Sequence, residues 1–310
     1  MSNQVKSFKN ALSDCMMAAA EKDPSIVLLS ADSGPNSGFG PFIEKYPDRF
    51  YEMGIMEAGA ESVASGMATC GLTPIFCAPA PFVTGRPYEF FRIDLGYMHQ
   101  NVKVIGRNCG FSYSDLGPTH YGLDDIALVR AIPDVMILAP QDAYELEDCF
   151  QAMLTYRGPV YMRVHNSALP VPEVRRPFEL GKAVIYEEGS DISIISTGNL
   201  TPNVLEAVEQ LKASGLRPTV VGIHTLRPID RDAIHKAAET GKIVTEEEHF
   251  TVGGLGSIVA DICAQDCPVR IKRIGAPHIY TSSGEYPDMA QLYGLDAASI
   301  AQAVAAFAQA

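Results

Sequence analysis

Apolar positions along this 310-residue chain fall into two alternating spacings. Short unbroken runs, "IVLLS" (26–30), "TPIFCA" (73–78), "VKVIG" (102–106), "VMILAP" (135–140) and "PVYMRV" (159–164), leave no polar face for water. They read as strands buried on both sides of a sheet. Between them lie longer stretches whose apolar residues recur every three or four positions, the period of a helix with one packed face. These are 7–22, "ESVASGMATCG" (61–71), "PYEFFRIDLGYMHQ" (87–100), "LDDIALVRAIP" (123–133) and "AYELEDCFQAMLTYR" (143–157). The alternation predicts an α/β unit built on a parallel sheet with helices on both faces.

The rhythm breaks at "NSALPVPEVRRPFELG" (166–181), which holds three prolines and no periodicity, and then resumes. Strands are predicted in "DISIISTG", "RPTVVGIHTL", "KIVTEEE" and "PVRIKRIG", with helices in "PNVLEAVEQLKASG", "RDAIHKAAETG", "LGSIVADICAQ" and a closing "AASIAQAVAAFAQ". The expected organisation is a first unit over 1–168, a linker over 169–181 and a smaller α/β unit over 182–310.

Composition narrows the classes of function. With 47% hydrophobic and 20% charged residues the chain can bury a sizeable core, and its net charge of -13 repels nucleic acid and anionic membranes. The longest basic cluster is Arg175-Arg176. No apolar run is long enough to span a membrane and "MSNQVKSFKNALSDC" has no apolar leader core, so a cytoplasmic protein is expected. Seven cysteines, an odd number in mostly apolar surroundings, read as buried free thiols. Cys263 and Cys267 share a helical face but lack a second His/Cys pair, which is weak zinc evidence.

In open parallel sheets, ligands bind beyond the carboxyl ends of the strands. The loops there are "ADSGPNSGFG" (31–40), "PAPFVTGRP" (79–87) and "RNCGFSYSDLGPTHYG" (107–122), all rich in Gly, Ser and Asn. The third holds His120 just before a predicted helix, where it either caps that helix or does chemistry. In "FYEMGIMEAGAESVASGMA" (50–68), Glu57 sits among small and apolar residues. Packing explains the small residues but not the acid, which either faces solvent at the helix start or is buried, where its neutral form gains. There is no GxxxxGK[ST], HExxH or GxSxG, and "GGLGS" (253–257) lacks the dinucleotide spacing.

Taken in order, "SADSGPNSG", "YEMGIMEAGAESVASGMATCGLTPIF", "FVTGRPYEFFR", "DLGPTHYGLDDIALVRAIPD", "APQDAYE" and "TEEEHFTVGGLGSIVA" resemble the transketolase family of thiamine diphosphate enzymes. The resemblance covers nearly the whole chain. It implies a pyrimidine-binding domain with the thiamin-diphosphate fold, followed by the transketolase C-terminal domain. The family's GDG segment and paired asparagines, which hold Mg²⁺ and diphosphate, are missing. The resemblance is therefore to the C-terminal subunit of a split transketolase. An N-terminal partner would bring the metal, and an α2β2 assembly is implied.

Carried over, Glu57 matches the glutamate that bonds the aminopyrimidine ring nitrogen and favours the imino tautomer that deprotonates the thiazolium. Phe82 matches the aromatic packed on the pyrimidine, and Asp32 an acid at the cofactor edge. For a sugar phosphate, His120 matches the histidine on the donor's oxygens, and Asn36, Asn108 and Arg163 fall at substrate-phosphate positions. Two departures bear on substrate. Leu116 stands where the family motif has an acid, and Asn108 where it has a histidine. They imply a non-standard ketose, such as a branched sugar phosphate like apulose 4-phosphate. Two other readings compete: the beta chain of a 2-oxoacid dehydrogenase, whose loop usually carries a second histidine, and a non-catalytic scaffold. The second unit is expected to serve assembly, with no catalytic residue.

Overall fold

The structure is a computed structural model that describes residues 5–310; the first four positions of the expected first unit lie outside the described residues. In chain order the strands are β1 (Val5–Ser7), β2 (Ile26–Ser30), β3 (Phe50–Glu52), β4 (Thr73–Pro79), β5 (Lys103–Arg107), β6 (Met136–Leu138), β7 (Val160–Val164), β8 (Ala168–Pro170), β9 (Val184–Glu187), β10 (Ile192–Ser196), β11 (Pro218–Gly222), β12 (Thr225–Arg227), β13 (Lys242–Phe250) and β14 (Arg270–Ala276). Seven form one sheet in the order β12-β6-β7-β5-β4-β2-β3, and five form another in the order β14-β13-β10-β11-β9.

The unbroken apolar runs are strands for the expected reason. Side chains alternate across a strand, so Val27 and Leu29 enter one core while Ile26 and Leu28 enter another on the opposite face. The second core is closed by the helices Phe8–Lys22 and Ala143–Thr155, which supply Leu12, Met16, Leu146 and Phe150. A third core lies under the helices Thr201–Ala213 and Ala297–Gln309. No helix among the described residues is long and apolar enough to cross a membrane.

Three departures from the sequence expectation stand out. The stretch predicted as one helix at 87–100 is a single turn, Tyr88–Phe90, running into a wider π coil, Phe91–Tyr97. The start of the predicted linker is anchored, since β8 pairs antiparallel with β1. Most consequential, "RPTVVGIHTL" is two strands. β11 stays in the second sheet, but β12 crosses over and pairs antiparallel with β6 at the edge of the first. Local chemistry holds it there: Leu226 is buried in a core that runs through both halves, and Arg227 donates to the carbonyls of Arg130, Ile132 and Val135. Those acceptors lie at and beyond the end of the helix Asp125–Arg130, where a cation is favoured.

Candidate active site

The helix Glu57–Thr69 buries Glu57, Ala60, Glu61, Ala64 and Ser65, one face at i, i+3, i+4, i+7 and i+8. Both acids therefore point inward, and Glu57 is only 4% exposed. Glu57 opens the helix, where a negative side chain suits the N-terminal dipole. Its carboxylate is not in apolar surroundings: Arg86 Nη1 donates to Glu57 Oε1 at 2.6 Å. Glu61, one turn on, is the more isolated acid. It is fully buried, neither carboxylate oxygen has a partner among the described residues, and desolvation followed by the nearby charge of Asp94 raises its pKa well above the usual carboxylate range.

From Glu57 a continuous row of contacts runs along the carboxyl edge of the first sheet. The Arg86 guanidinium, bonded to Glu57, also lies over the Phe82 ring at 4.2 Å from its centroid. The Phe82 ring meets His120 at 5.2 Å, tilted 71°. His120 meets Tyr113 at 5.8 Å and shares a hydrogen bond of 2.9 Å between Nδ1 and Thr119 Oγ1. Arg107 Nη1 then donates to the Tyr113 hydroxyl at 2.9 Å and to Asn108 Oδ1 at 3.2 Å. The fold thus brings Glu57 from one helix start, Phe82 from a short helix, and Asn108 and His120 from one loop into a single row of contacts.

The far end of the row is a small cleft lined by Lys9, Asn36, Ser37, Arg107, Asn108 and His165, among others. Arg107 is buried and its Nε has no partner among the described residues. Together with Lys9 it makes this end positive, so the cleft suits an anionic group. Sequence reasoning missed Arg107, Lys9 and Arg86. The available signal for Arg107 was its place at the carboxyl end of a buried strand, β5.

Asp32 and Asn108, directly beyond β2 and β5, both hold left-handed backbone, at φ 52° and 53°. Asp and Asn are the non-glycine residues that tolerate it best. The Asp32 amide donates to Glu52 Oε1 at 2.6 Å while its side chain lies at the surface. Leu116 is 48% exposed, in the turn that precedes His120.

Arg163, expected at a substrate phosphate, is 2% exposed; its Nε and Nη2 bond inside the protein, while Nη1 has no partner among the described residues. Nε donates to Asp125 Oδ2 at 2.9 Å, and Nη2 to the carbonyls of Gly122 and Glu248 at 3.2 and 3.1 Å. Burial works against its charge, but Asp125, Cys109 and Tyr161 together more than offset this and hold the group above its ordinary range. Arg163 ties the start of the helix Asp125–Arg130 to the second half of the chain.

The second half also supports the loop that carries His120. Glu248 is buried and accepts from the Phe111 amide at 2.5 Å, the Tyr286 hydroxyl at 2.7 Å, and Asn199. Its carboxylate lies so close to Gly110, at φ +62°, that a Cβ there would stand 2.1 Å from Oε1. Burial pushes this acid up, but the His165 charge and these donors more than compensate, and its pKa is lowered. The sequence expectation gave this half a role in assembly only. The structure adds a buried strut beneath the site loop.

Comparison with known proteins agrees along the whole chain. The family model for the transketolase pyrimidine binding domain matches residues 4–172, and that for the transketolase C-terminal domain matches 181–300. The sequence is 34% identical over 310 residues to an apulose-4-phosphate transketolase subunit of Phocaeicola vulgatus, covering 99% of each. It is 32% identical over 292 residues to a 6-deoxy-6-sulfo-D-fructose transketolase subunit of Clostridium sp., covering 94% of this chain and 91% of that one. A solved split-gene transketolase in an inactive beta4 tetramer superposes with a TM-score of 0.86 at 31% identity, covering 97% of both chains.

Proposed function

The chain belongs to the transketolase family, and from that premise we propose that it is the pyrimidine-binding subunit of a two-chain enzyme moving a two-carbon ketol unit between sugars. The observation that carries this reading is the single row from Glu57 through Phe82 and His120 to the Arg107 cleft.

The residues fit half of a thiamine diphosphate site. Glu57 is a buried acid whose one partner is a half-exposed arginine, and beside it the Phe82 ring offers a flat face for an aminopyrimidine. Among the described residues no group of three His, Cys, Asp or Glu side chains is arranged to hold a metal ion. We assign Mg²⁺ and the diphosphate to a separate N-terminal subunit. When bound, thiamine diphosphate supplies the electron sink that lets a ketose carbon–carbon bond break and re-form. The work of this chain is then positional: Glu57 holds a proton at the ring nitrogen, Phe82 fixes the ring plane, and His120 bonds the sugar's oxygens.

The positive cleft supports a ketose ending in an anion as the substrate class. By name, one relative acts on a sugar phosphate and the other on a sulfo-sugar. Arg107 and Lys9 suit either head group. Leu116, where the family motif carries an acid, favours a ketose with a non-standard hydroxyl pattern, apulose 4-phosphate being the first to try.

The test is reconstitution with the partner, encoded by an adjacent reading frame of roughly domain size or larger, in the presence of Mg²⁺ and thiamine diphosphate. The mixture is expected to transfer a ketol unit, and Glu57→Ala to abolish the transfer. Full activity in that variant, or pyruvate decarboxylation without ketose turnover, overturns the proposal.

A further inference from the structure

Arg86 makes two contacts at once. It hydrogen-bonds the Glu57 carboxylate at 2.6 Å and lies over the Phe82 ring at 4.2 Å. A flat, cationic, nitrogen-rich group resting on Phe82 and bonded to Glu57 has the contacts of an aminopyrimidine under the assignment above. We propose that Arg86 is a stand-in for the cofactor ring: it occupies the pyrimidine seat in the free chain and must swing out before thiamine diphosphate can enter.

This inference rests on the reading of Glu57 as the pyrimidine contact, and three observations support it. First, the arginine is free to move, since its side chain is 45% exposed while that of Glu57 is 4% exposed. Second, it follows Gly85 at the end of the short helix Ala80–Thr84, at the surface, with its backbone amide bonded to the Pro81 carbonyl. Third, without it Glu57 would be a buried carboxylate with no counter-ion, which proteins avoid. The guanidinium supplies that counter-ion until the site is assembled.

A proton balance follows. Arginine remains charged throughout, so while it is in place Glu57 is an anion. A carboxylate and a neutral ring nitrogen are both acceptors, and a hydrogen bond between them needs a proton. Exchange of Arg86 for the ring therefore takes up one proton from solvent, with no other bond made or broken. The other titratable groups around the pair are Glu61 one turn along the same helix, Asp94 bonded to Ser62 of that helix, and His120 against the Phe82 ring. None of them contacts Glu57 by hydrogen bond.

The experiment is calorimetric titration of thiamine diphosphate with Mg²⁺ into the complex with the partner subunit, in buffers of different ionisation enthalpy. It compares wild type with Arg86→Ala, Arg86→Lys and Glu57→Gln. Wild type is expected to take up close to one proton per site. Arg86→Ala frees the seat, so it should bind about five- to tenfold tighter. Arg86→Lys, which keeps the charge but cannot lie flat, should fall between. Wild-type or weaker affinity in Arg86→Ala, while Glu57→Gln still loses both affinity and uptake, overturns the stand-in alone. Unchanged affinity and uptake in Glu57→Gln overturns the Glu57 assignment and the stand-in with it.

Discussion

Replacing Glu61 by methionine should stabilise the chain, and increasingly so as the pH rises. The acid is fully buried on the packed face of its helix, neither oxygen has a partner among the described residues, and desolvation and Asp94 both oppose its ionisation. Even uncharged, a buried polar group without a hydrogen bond costs about 1–3 kcal/mol. Methionine has nearly the same length and volume and no such need. The pH dependence has a definite sign. A carboxyl whose folded pKa lies above its unfolded value binds more protons folded than unfolded. Its contribution is fully present below the ordinary carboxylate value of 4.5 and is lost as pH rises toward the raised folded value. Across that window each pH unit removes up to about 1.4 kcal/mol. Urea denaturation at pH 5 and pH 8 should therefore show the Glu61→Met advantage widening between the two. Glu246, also buried with unpartnered oxygens, drifts the same way in both proteins and cancels in the difference. An advantage that stays flat or shrinks from pH 5 to pH 8, or a Met variant that is the less stable at pH 8, would refute the reasoning.

Arg163→Met should act on stability rather than on substrate, because it leaves Asp125 buried without its charge partner. A loss of about 3–5 kcal/mol in urea melts is expected, and a well-folded variant with only a raised KM would return Arg163 to the substrate site. Arg107→Met should do the reverse, raising KM for an anionic ketose in the reconstituted enzyme by about tenfold to a hundredfold with little change in urea midpoint. An uncharged ketose analogue should be indifferent to that change, and equal losses on both substrates would remove Arg107 from anion recognition.

Much of the architecture was legible because two-sided burial leaves a plain trace: runs such as "IVLLS" and "TPIFCA" can be little else in a chain with this alternation. The strand Thr225–Arg227 was not, because its address depends on Leu226 reaching a core shared with the other half and on Arg227 finding carbonyls nearly a hundred positions earlier. No local pattern encodes that. The same limit governs the site. Glu57 stood out as an acid among small residues, but nothing nearby in sequence reveals that Arg86 lies against it. Arg163 was placed at a substrate phosphate by the family resemblance alone, and nothing nearby in sequence reveals that Asp125, at the start of another helix, lies against it.

The crossover of β12 bears on how this chain can be divided. A polypeptide cut after the proline-rich stretch at 166–181 would look like a self-contained α/β unit, yet it would lack the strand that covers Met136–Leu138. Those three residues are wholly apolar, and an uncovered apolar edge recruits strands from other molecules. Expressed by itself, the first half should clump rather than stay in solution, and restoring a segment spanning 223–228 should rescue it. Any exchange of halves between relatives therefore has to carry that strand along with the sheet it completes, not with the sheet it precedes in the chain.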